Sequence, residues 1–234
     1  MNILTVIPAR KGSKGVPKKN KRMLGDMPLV EWTIEFASKL PDNFIKVISS
    51  DDPEILNLGE KYNLLNFGLR PSILAEDNSL TIDVIKHELA CVQDLKIDIE
   101  GILLLQPTCP FRSVKVFNEA FSEFYKNSEY SYVGVKDVEG NHPFRMKQIE
   151  DGKLINFIDQ GFEDMRPRQA LPKIFLRNGS LYLTSIENIY SGKILGDLQK
   201  PIIMDELLSV NIDTEVDFFI AERYKDDFLN VKDY

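Results

Sequence analysis

The sequence predicts an α/β protein built on a mostly parallel sheet, and two patterns carry that prediction. Short apolar runs at residues 3–7, 44–49 and 101–106 alternate with longer segments whose apolar residues recur at helical spacing. Each run closes on a loop rich in proline, glycine or charge, and in a parallel sheet such loops collect beyond the carboxyl ends of the strands.

The first run, Ile3 to Ile7, is β-branched and continuous, as suits a strand buried on both faces. It leads into PARKGSKGVPKKNKR, which holds Gly12, Ser13, Gly15 and seven cations between Arg10 and Arg22. Glycines let backbone N–H groups turn toward one anion while long cations close over it, so this loop suits a polyphosphate. A helix follows over residues 28–40, with Leu29, Trp32, Phe36 and Leu40 on one stripe and Pro28 in its first turn. The second strand, 44–49, ends in SDDP, where Asp51 and Asp52 are expected to cap a short helix near 54–62. RPSILAED, at 70–77, precedes a helix over 80–95 whose buried face is expected to hold Leu80, Val84, Leu89 and Val92, with Cys91 as a packed thiol. His87 lies on that helix without a second ligand at metal spacing.

The strand at 101–106 closes on QPTCPFR, and Ser113 is placed to cap a helix reaching about Asn127. After a strand at 130–136 the rhythm changes. From 138 to 174 the chain makes an excursion with a hairpin signal at Asp151-Gly152, followed by the polar run Arg166-Pro167-Arg168-Gln169, a candidate partner surface. The strand at 175–184 contains Asn178-Gly179, which marks a bulge or a close ligand approach. A short strand at 201–204 and the segment SVNID lead to a last helix over 214–228, whose Thr214 and Asp217 form a capping box.

Composition narrows the function. A net charge of −7 gives no footprint for nucleic acid or anionic membrane. Without the seven loop cations the remainder carries −14, so the basic site points to a small anion. No apolar run approaches the ~20 residues of a membrane span, no signal-peptide pattern opens the chain, and two cysteines make no disulfide framework. A cytoplasmic protein of one domain, 1–234, is expected. Neither G-x-x-x-x-G-K-[ST] nor G-x-G-x-x-G occurs in the basic loop, so the ATPase and dehydrogenase readings fall.

Six blocks, IPARKGSKGVPKKN, RPSILAED, LLLQPTCPFR, RQALP, NGSLYLT and NIDTEVDFFIAE, run in order from Ile3 to Glu222. Together they resemble the acylneuraminate cytidylyltransferase, or CMP-sialic acid synthetase, family. The resemblance implies a Rossmann-like nucleotide-diphospho-sugar transferase fold of the glycosyltransferase-A type, dimeric through an inserted segment. It implies that CTP and a nine-carbon 2-keto sugar acid, a nonulosonate, give the CMP-sugar and pyrophosphate. On the same basis Arg10, Ser13, Lys14, Lys19 and Asn20 contact the triphosphate. Lys14 and Lys19 steady the leaving pyrophosphate. Arg70, Ser79, Thr81 and Gln106 fall at the cytosine, with Asp77 nearby as a helix-start residue. Gln106, Thr108, Arg166, Arg168 and Gln169 are the sugar-acid candidates, since an arginine fork suits a carboxylate.

The family pattern D-x-D-T implies a Mg²⁺ site, but here the segment reads Asn211-Ile212-Asp213-Thr214. Asp213, with Asn211 as a neutral oxygen, is the metal candidate, and Asp213 joins Lys14 and Lys19 as a catalytic candidate. The alternatives are a transferase for another sugar acid or nucleotide, and a catalytically silent nucleotide-binding module in which Asn211 records a lost metal site.

Overall fold

The computed structural model describes residues 1–159, 161–162 and 165–230. The amino-terminal part runs β1 (Ile3–Pro8), β2 (Met23–Leu24), β3 (Met27–Pro28), α1 (Leu29–Ser38), β4 (Phe44–Ser49), α2 (Pro53–Lys61), α3 (Thr81–Asp94) and β5 (Gly101–Leu104). Next come α4 (Val114–Lys126), β6 (Ser131–Asp137), β7 (Lys147–Glu150) and β8 (Lys153–Asn156). The chain then continues through β9 (Phe175–Ser185), α5 (Ile186–Tyr190), β10 (Gln199–Ile203) and α6 (Glu215–Asn230). Six strands form the central sheet in the order β10-β6-β9-β5-β1-β4, and β9 alone runs against its neighbours. The mostly parallel sheet expected from the alternation is therefore present.

Side-chain alternation in β1 explains why that strand is apolar throughout. Ile3 and Ile7 pack into one cluster with Phe36, Phe117, Phe121 and Phe124, whereas Leu4 and Val6 face a second with Ile85, Leu89, Val92 and Ile189. α1 and α4 thus cover one face of the sheet, and α3 and α5 cover the other. A third cluster joins Val16 and Leu24 of the basic segment to Trp32, Phe111, Ile212 and Phe218. Trp32 anchors it by donating its indole N–H to the Leu24 carbonyl at 3.1 Å. This small core ties the amino-terminal loop to the start of α6, two stretches almost two hundred residues apart in sequence.

The 138–174 excursion leaves and rejoins the sheet at one point, because Asp137 at the end of β6 pairs with Phe175 at the start of β9. Between them β7 and β8 form a separate antiparallel hairpin, turned by Asp151 and Gly152 at φ 49° and 76°. Both turn residues take positive φ, the requirement of a type I′ turn.

Two expectations about α3 are corrected. Leu80 is 62% exposed because it is the residue that caps the helix, and Ile85 takes its place in the buried face. Cys91 is half-buried; the fully buried thiol is Cys109.

Candidate active site

The loops after β1, β4 and β5 are stitched together by main-chain bonds. Ala9 N donates to the Ser49 carbonyl at 2.9 Å, Leu105 N to the Val6 carbonyl at 3.0 Å, and the Ser50 hydroxyl to the Ala9 carbonyl at 2.6 Å. Asn20 closes the basic loop on itself, its amide donating to the Arg10 carbonyl at 2.8 Å. Asp52 caps α2 as expected, accepting from Glu54 N at 3.0 Å. Asp51 does not cap; it accepts from Lys11 N at 2.7 Å and so holds the basic loop against the end of β4.

These loops enclose a cavity of about 280 Å³ lined by Arg10, Ser13, Lys19, Asn20, Arg70, Ser79, Thr81, Gln106 and Thr108. Residues drawn from positions 10 to 108 thus face one space. Lys14 is not among them; it stands at the mouth, highly exposed, and pairs with Asp77 at 2.8 Å. Asp77 lines the same cavity and also accepts from Arg10 at 2.7 Å. It is therefore a partner of the basic loop and not a helix-start residue: α3 begins five residues beyond Arg10's second acceptor, the Glu76 carbonyl, without any side-chain cap. Hydrogen bonds from Lys14 and then Arg10 hold the Asp77 carboxyl below its ordinary range.

Arg70 is buried, and much of its fork is spent on the protein. Its Nε donates to Ser49 Oγ at 2.9 Å, and its terminal nitrogens donate to the Ser49 and Leu74 carbonyls. Burial lowers its pKa, an effect the Asp51 carboxylate opposes. The Ser79 hydroxyl donates to the Ile73 carbonyl at 2.7 Å, shaping the turn that brings Thr81 to the cavity wall.

The 211–214 segment meets the basic loop directly. Lys19 Nζ donates to the Ile212 carbonyl at 2.6 Å and lies 3.0 Å from Asp213 Oδ1. The other carboxylate oxygen of Asp213 accepts from Asn211 Nδ2 at 2.7 Å. Gly15 passes so close that an added Cβ would fall 2.0 Å from the Asp213 carbonyl oxygen. Its role is close packing, where the loop pattern alone suggested only an anion nest. Behind Asp213 the capping box forms in both directions: Thr214 N donates to Asp217 Oδ2 at 2.7 Å, and Asp217 N to Thr214 Oγ1 at 3.3 Å.

Several residues of the site are missed by motif reasoning. Arg112 is buried and pairs with no acid among the described residues, donating to the Gln106 carbonyl at 2.7 Å, the Ser180 carbonyl at 3.3 Å and Thr33 Oγ1 at 2.8 Å. Burial pushes its pKa down to about 10. An arginine in a polar loop looks like a surface residue in sequence; only the fold shows it bracing Gln106 from behind. Cys109, also buried, donates its thiol to the Asn178 carbonyl at 3.1 Å and lies 3.5 Å from Asn211 Oδ1. Burial pushes that thiol up to about 11, so it is a packed group and not a nucleophile. The Asn178-Gly179 signal does mark a bulge, where Gly134 of β6 faces four residues of β9. Gly179, at φ 82°, makes room for Gln106 Oε1 and Cys109 Sγ, which an added Cβ would meet at 2.9 and 3.0 Å.

A second cavity, of about 760 Å³, shares Thr81 and Gln106 with the first and continues past Tyr182, Arg177, Lys193 and Ile194. Arg177 also borders a third space with Asn211 and Asp213. The remaining sugar-acid candidates, Arg166, Arg168 and Gln169, are exposed on the excursion and line none of these three cavities. Arg168 lies 3.7 Å from Glu139, and the Arg166 carbonyl accepts from Arg145 at 2.9 Å.

A protein-family model described as cytidylyltransferase matches residues 4–178. This chain belongs to the cytidylyltransferase family. A CMP-N,N'-diacetyllegionaminic acid synthase of Legionella pneumophila is 31% identical over 95% of this cytidylyltransferase and 96% of the relative. An N-acylneuraminate cytidylyltransferase of Escherichia coli is 32% identical over 94% of the chain, which spans 51% of that longer relative. Among solved structures, CMP:2-keto-3-deoxy-manno-octonic acid synthetase complexed with CTP aligns over 97% of this chain and 99% of its own, with a TM-score of 0.68 at 13% identity. That likeness shows the nucleotidyltransferase fold, in agreement with the Rossmann-like sheet expected from the sequence.

Proposed function

We propose that this cytidylyltransferase joins CTP to a nonulosonate, a nine-carbon 2-keto sugar acid, giving the CMP-sugar and pyrophosphate. The observation that carries the reading is the first cavity, where the arginine-lysine loop, Arg70 and Gln106 surround one space next to a larger one. Relatives named for legionaminic, pseudaminic and acylneuraminic acids support the acceptor class, the first of them matched over 96% of its length.

In this reading Gln106, braced by Arg112, and the free edge of Arg70 face the cytosine, with Ser79 and Thr81 beside them. An amide carries both donor and acceptor, which reading a base edge requires. Arg10, Ser13, Lys14, Lys19 and Asn20 hold the triphosphate, and Lys14 and Lys19 take up charge as the β- and γ-phosphates leave. Nucleotidyl transfer of this kind rests on positioning and charge neutralisation, so no nucleophilic side chain is needed. The anomeric hydroxyl of the acceptor attacks the α-phosphorus from the side of Gln106 and Thr81, which line both cavities; the bond to the β-phosphate breaks, pyrophosphate leaves and the hydroxyl proton passes to solvent.

The one carboxylate a Mg²⁺ ion shared with phosphate would use here is that of Asp213, whose oxygens face Lys19 Nζ and Asn211 Nδ2; Asn211 would add its amide oxygen, which now lies 3.5 Å from the Cys109 thiol, only by turning its amide over. Among the described residues no group of three His, Cys, Asp or Glu side chains could cage a metal, so substrate oxygens and water must complete the shell. When bound there, the ion supplies Lewis-acid neutralisation of the triphosphate.

The protein acts as one nucleotidyltransferase domain whose 138–174 segment is a dimerisation insert. Ile149 and Leu154 on the hairpin are more than 70% exposed, and Phe157 and Met165 are also uncovered. Such a face suits a second copy of the chain. Arg166, Arg168 and Gln169 then reach the acceptor carboxylate of the neighbouring subunit. Among the described residues no helix is long and apolar enough to cross a membrane, and we assign the enzyme to the cytoplasm. Pyrophosphate release, measured with four nucleoside triphosphates against a panel of nonulosonates, tests the function. CTP with one nine-carbon acid is expected to give release; absence of release with every pair contradicts the reading.

A further inference from the structure

We infer that Asp77 is an internal counter-anion that the triphosphate displaces on binding and that recaptures the basic loop as pyrophosphate departs. The proposal rests on the polyphosphate reading of the first cavity.

Asp77 sits on that cavity's wall, and its two carboxylate oxygens are divided between two cations of the same loop: Oδ1 at 2.7 Å from Arg10 and Oδ2 at 2.8 Å from Lys14. Both are residues a triphosphate needs. Arg10 also donates to the Glu76 carbonyl at 3.3 Å, so the pairing draws the 75–80 turn and the basic loop together across the mouth. It does not cap α3, whose first turn begins after Leu80, and among the described residues it accepts no main-chain bond of the kind a structural aspartate makes.

The physical sense of the arrangement lies in its weakness. Arg10 on the cavity wall and Lys14 at its mouth repel each other, and a single carboxylate between them relieves that cost. Both pairs are half-exposed, with Asp77 52% and Lys14 76% exposed, so water screens them and each is a minor contributor. A triphosphate, with about four charges near neutral pH, outcompetes one carboxylate for the same cations. Pyrophosphate must later be released from these cations, and Asp77, tethered within reach, competes for them at high effective concentration. The residue trades affinity for turnover.

The experiment compares the whole chain with Asp77→Asn, which keeps the shape of the side chain and removes its charge. Binding of inorganic tripolyphosphate and of CTP is followed by calorimetry, and product inhibition by pyrophosphate is followed at steady state. We expect Asp77→Asn to tighten tripolyphosphate and CTP by about fivefold, the worth of two exposed ion pairs, and to strengthen pyrophosphate inhibition by the same factor. Unchanged or weaker tripolyphosphate binding, in a variant whose melting temperature matches the parent, overturns the proposal and makes Asp77 a strut for the loop. If Asp77→Asn is poorly folded, Asp77→Ser serves in its place, with the same expected sign. Failure of tripolyphosphate to bind either protein also overturns it. Because tripolyphosphate needs no acceptor, tightening without any CTP turnover would leave the counter-anion standing while removing the proposed reaction.

Discussion

Lys19 joins two halves of the site. It carries a charge into the first cavity and fixes the Ile212 carbonyl and the Asp213 carboxylate. Lys19→Ala is expected to lower kcat by about 10²–10³, the scale of one lost transition-state contact, while circular dichroism and melting temperature stay close to the parent's. Near-normal turnover would show that Lys19 is not at the reacting phosphates. Asn211 raises a second question at this scale. Its amide donates to Asp213 at 2.7 Å, and Asn211→Asp would replace that bond by two facing carboxylates. The repulsion favours a cation between them, so Mg²⁺ affinity should rise about tenfold in a direct titration with CTP present. Superimposable curves would place residue 211 away from the metal. At this scale the sequence displayed the charged and amide groups that motifs single out. It hid Arg112 and Cys109, because burial belongs to the fold and not to a residue type.

Elements explain why those residues stay in place. The loop after β1 is held by Val16 in the third core and by the packing of Gly15 against the Asp213 carbonyl. Gly15→Ala puts a methyl where the approach is 2.0 Å, forcing the basic loop off the 211–214 segment. Turnover should fall by more than about tenfold, in line with the sensitivity of catalysis to small misplacements, and limited proteolysis should cut more readily near residue 15. Arg112→Met removes the guanidinium donors from the Gln106 and Ser180 carbonyls and from Thr33 Oγ1, leaves Gln106 only its bond from Cys109 N, and should cost about 1–3 kcal/mol by denaturant unfolding. At the start of α6, burial alone would raise the Asp217 carboxyl, but the Thr214 hydroxyl and the Asp213 and Thr214 N–H groups take it below its ordinary value. The folded state therefore binds that proton less readily than the unfolded chain. The capping box contributes fully above the ordinary aspartate value of about 4, and its contribution is lost as pH falls through the lower folded value. Asp217→Asn should remove this part of the acid dependence and cost about 1 kcal/mol at pH 7. Strands and capped helices were legible because each follows local rules: β1, β4, the Ser113 cap of α4 and the capping box of α6 appear where periodicity and Ser, Thr or Asp placed them. Asp51 and Asp77 escape those rules because a helix-start aspartate and one that grips a distant loop look alike until β1 and β4 are side by side.

For the whole molecule, the order of β and α segments was enough to predict the sheet, and the lone antiparallel strand β9 follows from the excursion that reverses the chain between β6 and β9. The convergence of loops from β1, β4 and β5 was equally foreseeable, since parallel strands deliver them to one edge. The sugar-acid arginines were not placed by that logic. Arg166 and Arg168 lie on the hairpin segment, outside the cavities, which is why the proposed mechanism brings them from a second copy. Leu154→Asp, on the exposed hairpin face, should convert a dimer to a monomer in sedimentation velocity and lower activity with it. Mixing Arg168→Ala with Lys19→Ala subunits should recover part of the turnover that each lacks, because one site in each mixed dimer is then whole.

The central claim is that this cytidylyltransferase transfers CMP intact to a nonulosonate. Phosphorus NMR of the enzyme with CTP and the accepted acid tests it most directly. One phosphodiester signal should grow in equal measure with pyrophosphate as the three CTP resonances decline. Orthophosphate with a CDP-type diphosphate product, or CTP resonances that persist with every acid, would contradict it.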